Sequence, residues 1–398
     1  MIVTVHRGTH QIGGSVVEIA TSRTRIILDL GSPLPDENGH DCIETLAIEG
    51  VTSGVSNCDA VLFSHYHGDH IGMLGDLLPG IPFYLGPVSK EIYLLLQKRI
   101  PHGIPEIVRD ARTFTAGEPL AIGDLSITPF MVDHSAFDAY MFLIEAESKR
   151  VLYTGDFRTH GFRGKAVLPM LRKYVGQVDV LITEGTMLSR GETEVKTEQE
   201  LQAELGEVIK KYKYIFVICS STNIDRIGSI CQATPRGKYF LCDPYQKTVL
   251  EKVSELCGQY SPLYQFKKVL NYGPNLDDKM KDRGFCMLIR NRFSFPEVVT
   301  QYQNEFPDDT VLIYSMWRGY LDTPNSQYKK LMEGFQNIEF LHTSGHATKE
   351  AIMKVCQDVN PKEGIIPVHS EASEKLDELG LGKIIHLKDG EEYETIYQ

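Results

Sequence analysis

Residues 64–70 read Ser64-His65-Tyr66-His67-Gly68-Asp69-His70, with three histidines and an aspartate inside six positions. The block follows the apolar run Val61-Leu62-Phe63 and precedes a helix-like stretch from Ile71 to Leu78. A strand ending in imidazoles at i and i+2, running into a helix opened by Asp and His, can hold two neighbouring metal ions. Divalent metals of borderline softness take imidazole nitrogen and carboxylate oxygen readily, zinc most simply and manganese as well. The bland alternative is a solvated, histidine-rich turn. Four ligand-type side chains packed this tightly argue against it.

Three further turns carry ligand-type residues directly after apolar runs. Asp133-His134-Ser135 follows Thr128-Pro129-Phe130-Met131-Val132, and Gly155-Asp156-Phe157-Arg158 follows Val151-Leu152-Tyr153-Thr154. Near the C-terminus, Pro367-Val368-His369-Ser370-Glu371 follows Ile365-Ile366. Strand ends suit metal sites because the sheet fixes each ligand's backbone and leaves its side chain at one edge. Taken alone, His134 or His369 reads as a structural histidine; their weight comes from the opening cluster.

The elements that must position these turns change in texture along the chain. The first ~190 residues alternate short β-rich runs with turns. Expected strands are Ile2–Val5, Val16–Ala20, Arg25–Leu30, Ala60–Ser64, Ser126–Val132, Tyr140–Ile144, Arg150–Tyr153 and Val178–Thr183. Glu192 to Tyr212 then favours helix, with an apolar face of Leu201, Leu205, Val208 and Ile209. Strands Tyr214–Cys219, Lys238–Cys242, Cys286–Arg290 and Thr310–Tyr314 alternate with helices opening at Asn223, Tyr245, Pro296 and Ser326. That is a βαβ texture with a parallel sheet. From Ile338 the β-rich texture returns, with Ile338–His342, Gly364–Val368 and Lys383–Leu387. The expected organisation is one domain, 1–190 with 338–398, interrupted by an inserted α/β domain at 191–337.

Composition bounds the reading without deciding it. The chain has 398 residues, 42% hydrophobic and 24% charged, and no apolar run long enough to span a membrane. The start reads as a strand rather than a signal peptide. Eight scattered cysteines (42, 58, 219, 231, 242, 257, 286, 356) include no Cys-x-x-Cys and read as reduced thiols of a cytoplasmic protein. A net charge of −12 argues against gripping nucleic acid with the whole surface. The acidic excess is uneven, since residues 191–340 carry 19 Lys/Arg against 20 Asp/Glu.

His-x-His-x-Asp-His, then a later His, a Gly-Asp and a C-terminal His, in that order, resembles the metallo-β-lactamase-fold hydrolases. Asp29 in Leu28-Asp29-Leu30-Gly31 matches their first motif, which supports the site. Thr183-Glu184-Gly185-Thr186, Thr343-Ser344-Gly345-His346-Ala347 and Pro367-Val368-His369 resemble motifs A, B and C of the β-CASP branch, in its ribonuclease J-like form. The resemblance implies an αββα sandwich with an inserted βαβ-type β-CASP domain. It implies two divalent metals, one held by His65, His67 and His134, the other by Asp69, His70 and His369, with Asp156 bridging. Two such ions ~3.5–4 Å apart activate a water for attack on phosphorus. Asp69 and Glu184 are the implied catalytic carboxylates. His346 is implied as general acid with Glu184 orienting it, or simply as a phosphate ligand.

Substrate contacts are expected from Ser135, Ser344, Arg158 and His160, each with a plain alternative as a turn residue or an ion-pair member. Ser221, Asn223 and Arg226 open an expected helix, where they either bind phosphate or cap. Arg290-Asn291-Arg292 follows another strand and extends the same track. Where ribonuclease J-like chains carry a Gln-Gly-Glu-Pro-type loop, this chain has Ser315-Met316-Trp317-Arg318-Gly319-Tyr320. Trp317 and Tyr320 either stack on a base or pack in the core, and Arg318 reaches a phosphate. The expected activity is hydrolysis of single-stranded nucleic acid, RNA preferred. Alternatives are a DNA nuclease, a small phosphodiester or ester hydrolase, or an inactive binding subunit. No membrane partner is expected, and homo-oligomerisation is left open.

Overall fold

The computed structural model describes residues 1–36, 45–190, 195–290, 295–323 and 326–396. His40, Cys42, Glu192, Asn291 and Arg292 lie outside the described residues. The described residues divide into two compact units: those within Met1–Asp36, His40–Glu194 and Gly345–Gln398, and those within Val195–Ser344.

The larger unit contains a seven-stranded and a six-stranded sheet. The first runs from Glu391–Glu394 through Ile2–Arg7, Val16–Ala20, Arg25–Leu28, Ala60–Leu62 and Phe83–Leu85 to Arg112–Thr113. The second runs from Gly364–Val368 through Val180–Glu184, Lys149–Tyr153, Ala139–Ala146 and Leu125–Val132 to Leu120–Ile122. Strand periodicity assigns the cores. Val151 and Tyr153 join Val3, Val17, Ile26 and Leu62 in one apolar cluster shared by both sheets. Leu152, one residue out of phase, packs with Ile352 and Val355 of the helix Lys349–Val359 and with Leu171. Burial on both faces explains why these strands read as continuous apolar runs.

Where the C-terminal ends of parallel strands meet, ligands can converge. Arg25–Leu28 pairs parallel with Ala60–Leu62, and Lys149–Tyr153, Val180–Glu184 and Gly364–Val368 form a parallel trio. Asp29, His65, Asp156 and His369 follow four of these strands, and Glu184 closes another.

The smaller unit is a six-stranded parallel sheet in the order Val269–Asn271, Tyr239–Cys242, Phe285–Ile289, Tyr214–Ile218, Thr310–Tyr314, Ile338–Phe340. Its core includes Phe216, Met287, Leu312, Val298 and Tyr302. The helix Glu198–Lys211 begins with a capping box in which Thr197 and Glu200 satisfy each other's backbone N–H.

Two expected elements differ. The Ile71–Leu78 helix is replaced by a short helix, Gly68–Ile71, and a 3-10 turn, Leu74–Asp76, because Gly72 and Gly75 remove helical bias from the segment. Lys383–Leu387 is not a strand; only Ile384 bridges Ile365. The terminal strand is Glu391–Glu394, whose pairing with Ile2–Val5 carries no apolar alternation to betray it.

Candidate metal centre

Seven histidine and aspartate side chains of the larger unit converge. Ligand atoms of His65, His67 and His134 lie within 4.8 Å of one another, as do those of Asp69, His70 and His369. Asp156 lies in both a His65–His70 group and a group with Glu184, His346 and His369. The rings of His65 and His70 are 4.1 Å apart at their centroids, and those of His65 and His134 4.6 Å.

Four of the five ligand rings are aimed by a partner behind them. His70 Nδ1 and Asp29 Oδ2 are 2.8 Å apart, His134 Nδ1 donates to the Gly345 carbonyl at 2.6 Å, and His65 Nδ1 lies 3.0 Å from Ser64 Oγ. His369 Nδ1 meets Thr186 Oγ1 at 2.8 Å. Such bonds fix the ring and leave the other nitrogen as the donor to an ion. Asp29 gathers four of them, since Ser64 N–H, Ser64 Oγ–H and Tyr153 O–H also donate to it, at 2.6, 2.7 and 2.6 Å. Asp29 and His369 adopt left-handed backbone (φ 59° and 52°), a strained conformation for non-glycine residues that gathers at functional sites.

Four buried atoms in the cluster, His65 Nε2, His70 Nε2 and both Asp156 carboxylate oxygens, lack a well-aligned hydrogen bond, although His70 Nε2 and Asp156 Oδ2 pair at 3.1 Å. Buried polar atoms are ordinarily satisfied, so four such atoms gathered in one place, with Glu184 Oε2 and His346 Nδ1 beside them, call for a ligand. His67 Nδ1 and His134 Nε2 also face each other at 3.2 Å. Nitrogen and carboxylate donors of this kind fit a divalent cation.

Electrostatics favour the ligating protonation states of His65, His67, His134 and Asp156 and the charged form of His70. Burial, the largest influence, holds His65 and His134 well below the usual imidazole range and pushes His67 down to about 4. Metal binding requires such neutral rings. Burial also opposes charge on Asp156, but His369, His70 and His346 outweigh it and keep the carboxyl ionised. On His70, Asp156 and Asp29 overcome burial and raise the pKa.

Beside the cluster, Glu184 ties two loops together. Its Oε1 accepts from Phe157 N–H at 3.0 Å and Ala347 N–H at 3.1 Å, while Oε2 faces His346 Nδ1 at 3.3 Å. His346 Nδ1 also lies 3.4 Å from Asp156. Burial disfavours charge there, yet Glu184 and Asp156 prevail and raise the His346 pKa above the ordinary imidazole value. Ser135, half-buried, has its Oγ 3.4 Å from His134 Nε2.

Two expected phosphate contacts do not match their surroundings. Arg158 is fully buried and bonded to Asp133 at 2.7 Å, because its neighbour Phe157 enters the core and carries the loop inward. Arg226 is fully buried too, paired with Glu198 at 2.8 Å and donating to Ser315 Oγ at 2.6 Å. Neither guanidinium is available to a phosphate. His160 is buried as well, and Asn223 is a helix cap accepting from Arg226 N–H at 3.2 Å. Ser221 and Ser344 are half-buried, whereas Trp317 and Arg318 are exposed or partly so. Arg290 pairs with Asp243 at 2.9 Å. The seven described cysteines are all free thiols.

Sequence reasoning gave no role to Ser64, Asp133, Tyr153 or Thr186. Three of them stand inside motifs already quoted, so adjacency to a ligand was the available signal. Tyr153 had only its place before the Thr154-Gly155-Asp156 turn.

Residues 38–216 match a beta-lactamase superfamily domain, and residues 335–381 match a Zn-dependent metallo-hydrolase RNA specificity domain. Ribonuclease J of Helicobacter pylori (strain J99) is 22% identical over 385 residues, covering 92% of this chain and 55% of that protein. Ribonuclease J of Sinorhizobium meliloti is 21% identical over 351 residues, covering 80% and 58%. The chain thus spans about half the length of the curated relatives it matches. A crystal structure of a protein of unknown function from Enterococcus faecalis V583 superposes with a TM-score of 0.79 at 23% identity, covering 98% of this chain and 99% of that one. No helix of the described residues is long and apolar enough to cross a membrane.

Proposed function

We propose that the chain is a metal-dependent phosphodiesterase of single-stranded RNA, a ribonuclease J-like member of the β-CASP branch of the metallo-β-lactamase-fold hydrolases. The observation that carries this reading is the convergence of His65, His67, Asp69, His70, His134, Asp156 and His369, with buried donor atoms that lack a well-aligned hydrogen bond. The match of residues 335–381 to an RNA specificity domain supports RNA as substrate.

His65, His67 and His134 would hold one divalent ion, Asp69, His70 and His369 a second, and Asp156 would bridge them. Zinc suits this donor set, and manganese is the other candidate. When bound, such a pair polarises a phosphodiester and supplies a nucleophile at neutral pH. The protein's own part is positioning and proton traffic. Asp29 orients His70, and the Gly345 carbonyl orients His134. His346, kept protonated beside Glu184, supplies a proton to the leaving oxygen. Glu184 also keeps the Asp156 loop and the His346 loop in register through its two backbone hydrogen bonds.

The test is hydrolysis of matched single-stranded RNA and DNA oligonucleotides by purified protein with defined added zinc or manganese. Cleavage of RNA in preference to DNA is the expected result. If neither polymer is cut while a small diester such as bis(p-nitrophenyl) phosphate is hydrolysed, the RNA reading is overturned.

A further inference from the structure

In the smaller unit, three aromatic side chains remain in solvent contact near one another. Trp317 is 44% exposed, Tyr320 47% and Phe340 39%, values unusual for rings that ordinarily dominate cores. Trp317 and Tyr320 meet edge to face with centroids 5.5 Å apart, and the Arg318 guanidinium lies 4.2 Å over the Phe340 ring.

The fold holds this arrangement. The buried Tyr314 donates its hydroxyl to the Trp317 carbonyl at 3.0 Å, and Ser326 Oγ donates to the Tyr320 carbonyl at 2.7 Å. The indole lies against the bare backbone of Gly319, where an added Cβ would sit 2.1 Å from its ring. Glycine is therefore required if the indole is to keep this position.

We propose that Trp317, Arg318, Tyr320 and Phe340 form a stacking platform for unpaired nucleobases, a substrate-binding site built from residues other than the metal cluster. The proposal rests on the nucleic-acid reading above and adds to it where the strand is gripped. Every base has a π face, so aromatic rings accept any sequence, and a guanidinium among them adds cation–π and phosphate attraction. Arg318 at the centre of the patch suits a polyanion better than an apolar protein partner, and the charge around it opposes a polyanion less than elsewhere in the chain. Arg318 is the ionised group of the four, and residues 191–340 are near neutral, with 19 Lys/Arg against 20 Asp/Glu. The remainder of the chain has 22 against 33.

Trp317 is the chain's single tryptophan, so its emission reports on the site directly. The full chain, with its metals, is titrated with a nuclease-resistant 2′-O-methyl phosphorothioate oligouridylate of about 15 nucleotides, near the upper site size of single-strand binders. The expected result is saturable quenching of emission. Trp317→Ala and Tyr320→Ala should each weaken binding of the dye-labelled oligomer roughly 5- to 100-fold, the loss of one stacked base, with unchanged circular dichroism. Trp317→Phe should restore most of the affinity, because a ring remains.

Equal affinity of wild type and Trp317→Ala, with unchanged wild-type emission, would overturn the platform and leave the nucleic-acid reading standing. A wild-type protein that neither binds nor cuts any oligonucleotide would overturn that reading and the platform with it. A Trp317-dependent dimer in sedimentation velocity, with no emission response to the oligomer, would make the face a contact between copies and overturn the proposal.

Discussion

The Arg158 guanidinium donates to Asp133 Oδ1 at 2.7 Å with both side chains fully buried, and the Arg158 N–H donates to the Asp133 carbonyl at the same distance. Asp133 immediately precedes His134, and Arg158 comes two residues after Asp156. Asp133 Oδ2 also accepts from Arg163 N–H at 2.6 Å. One buried pair therefore clamps the two strand-end turns that carry two candidate ligands.

Removing one member should leave the other charge stranded. We expect Arg158→Ala to lower the unfolding free energy by about 3–5 kcal/mol in urea titrations. The double variant Asp133→Leu/Arg158→Met should recover much of that stability. Metal retained after dialysis should stay below wild type in both proteins, because the double variant repairs packing but not the side-chain bonds between the turns. Full metal content in the double variant would show that the clamp is structural alone.

His67→Ala and Asp156→Ala should lose bound metal and turnover with native circular dichroism retained, measured by elemental analysis after dialysis. His346→Ala should keep its metal and lose about 10²- to 10⁴-fold in rate, the usual worth of a positioned proton donor. Metal loss in the His346 variant would place that ring among the ligands instead.

Gly31→Ala should damage the site without touching a ligand side chain. A Cβ there would sit 1.8 Å from the Asp69 carbonyl, a backbone atom that cannot rotate away. The helix start carrying Asp69 and His70 must shift, so both stability and metal affinity should fall. Overpacking of this kind costs roughly 1–3 kcal/mol, readable as a lowered urea midpoint.

Acidification should reveal a second ion pair, distant in sequence from the ligands. Glu18 bonds His6 at 2.7 Å and Arg25 at 2.7 and 2.8 Å, and although burial opposes ionisation these partners lower its pKa. A lowered folded-state pKa gives stability that is present above the unfolded value of 4.5 and lost as pH falls through the folded value. Wild type should therefore lose its advantage over Glu18→Gln on titration from neutral pH to below the folded pKa. The effect should be about 1 kcal/mol, since the pair is partly exposed.

Much of the fold was legible because buried strands announce themselves. Strands such as Val16–Ala20, Thr310–Tyr314 and Gly364–Val368 carry apolar runs bounded by turn residues, and they form where expected. The acidic strand Glu391–Glu394 was invisible for the opposite reason: it is held by pairing at a sheet edge, and its side chains carry no burial pattern. The helix Lys349–Val359 interrupts the β-rich texture expected after Ile338; Thr348 caps it and one face packs on the sheet.

By itself the sequence determined which residue types were available for chemistry and that they follow strands. Histidine, aspartate and glutamate at turn positions are chemical facts, and hydrophobic periodicity is a local one. What only the tertiary structure decided is which polar groups are occupied with one another. Arg158 and Arg226, alike as sequence candidates for phosphate, are consumed by Asp133 and Glu198 across 25 and 28 positions. Tyr153 reaches Asp29 across 124, and Thr186 reaches His369 across 183. Trp317, free by sequence to lie in a core or at a surface, is held partly exposed against Gly319. Such pairings depend on where distant strands end in space, and burial then makes each one compulsory, since a polar group removed from water must be satisfied by whatever the fold brings beside it.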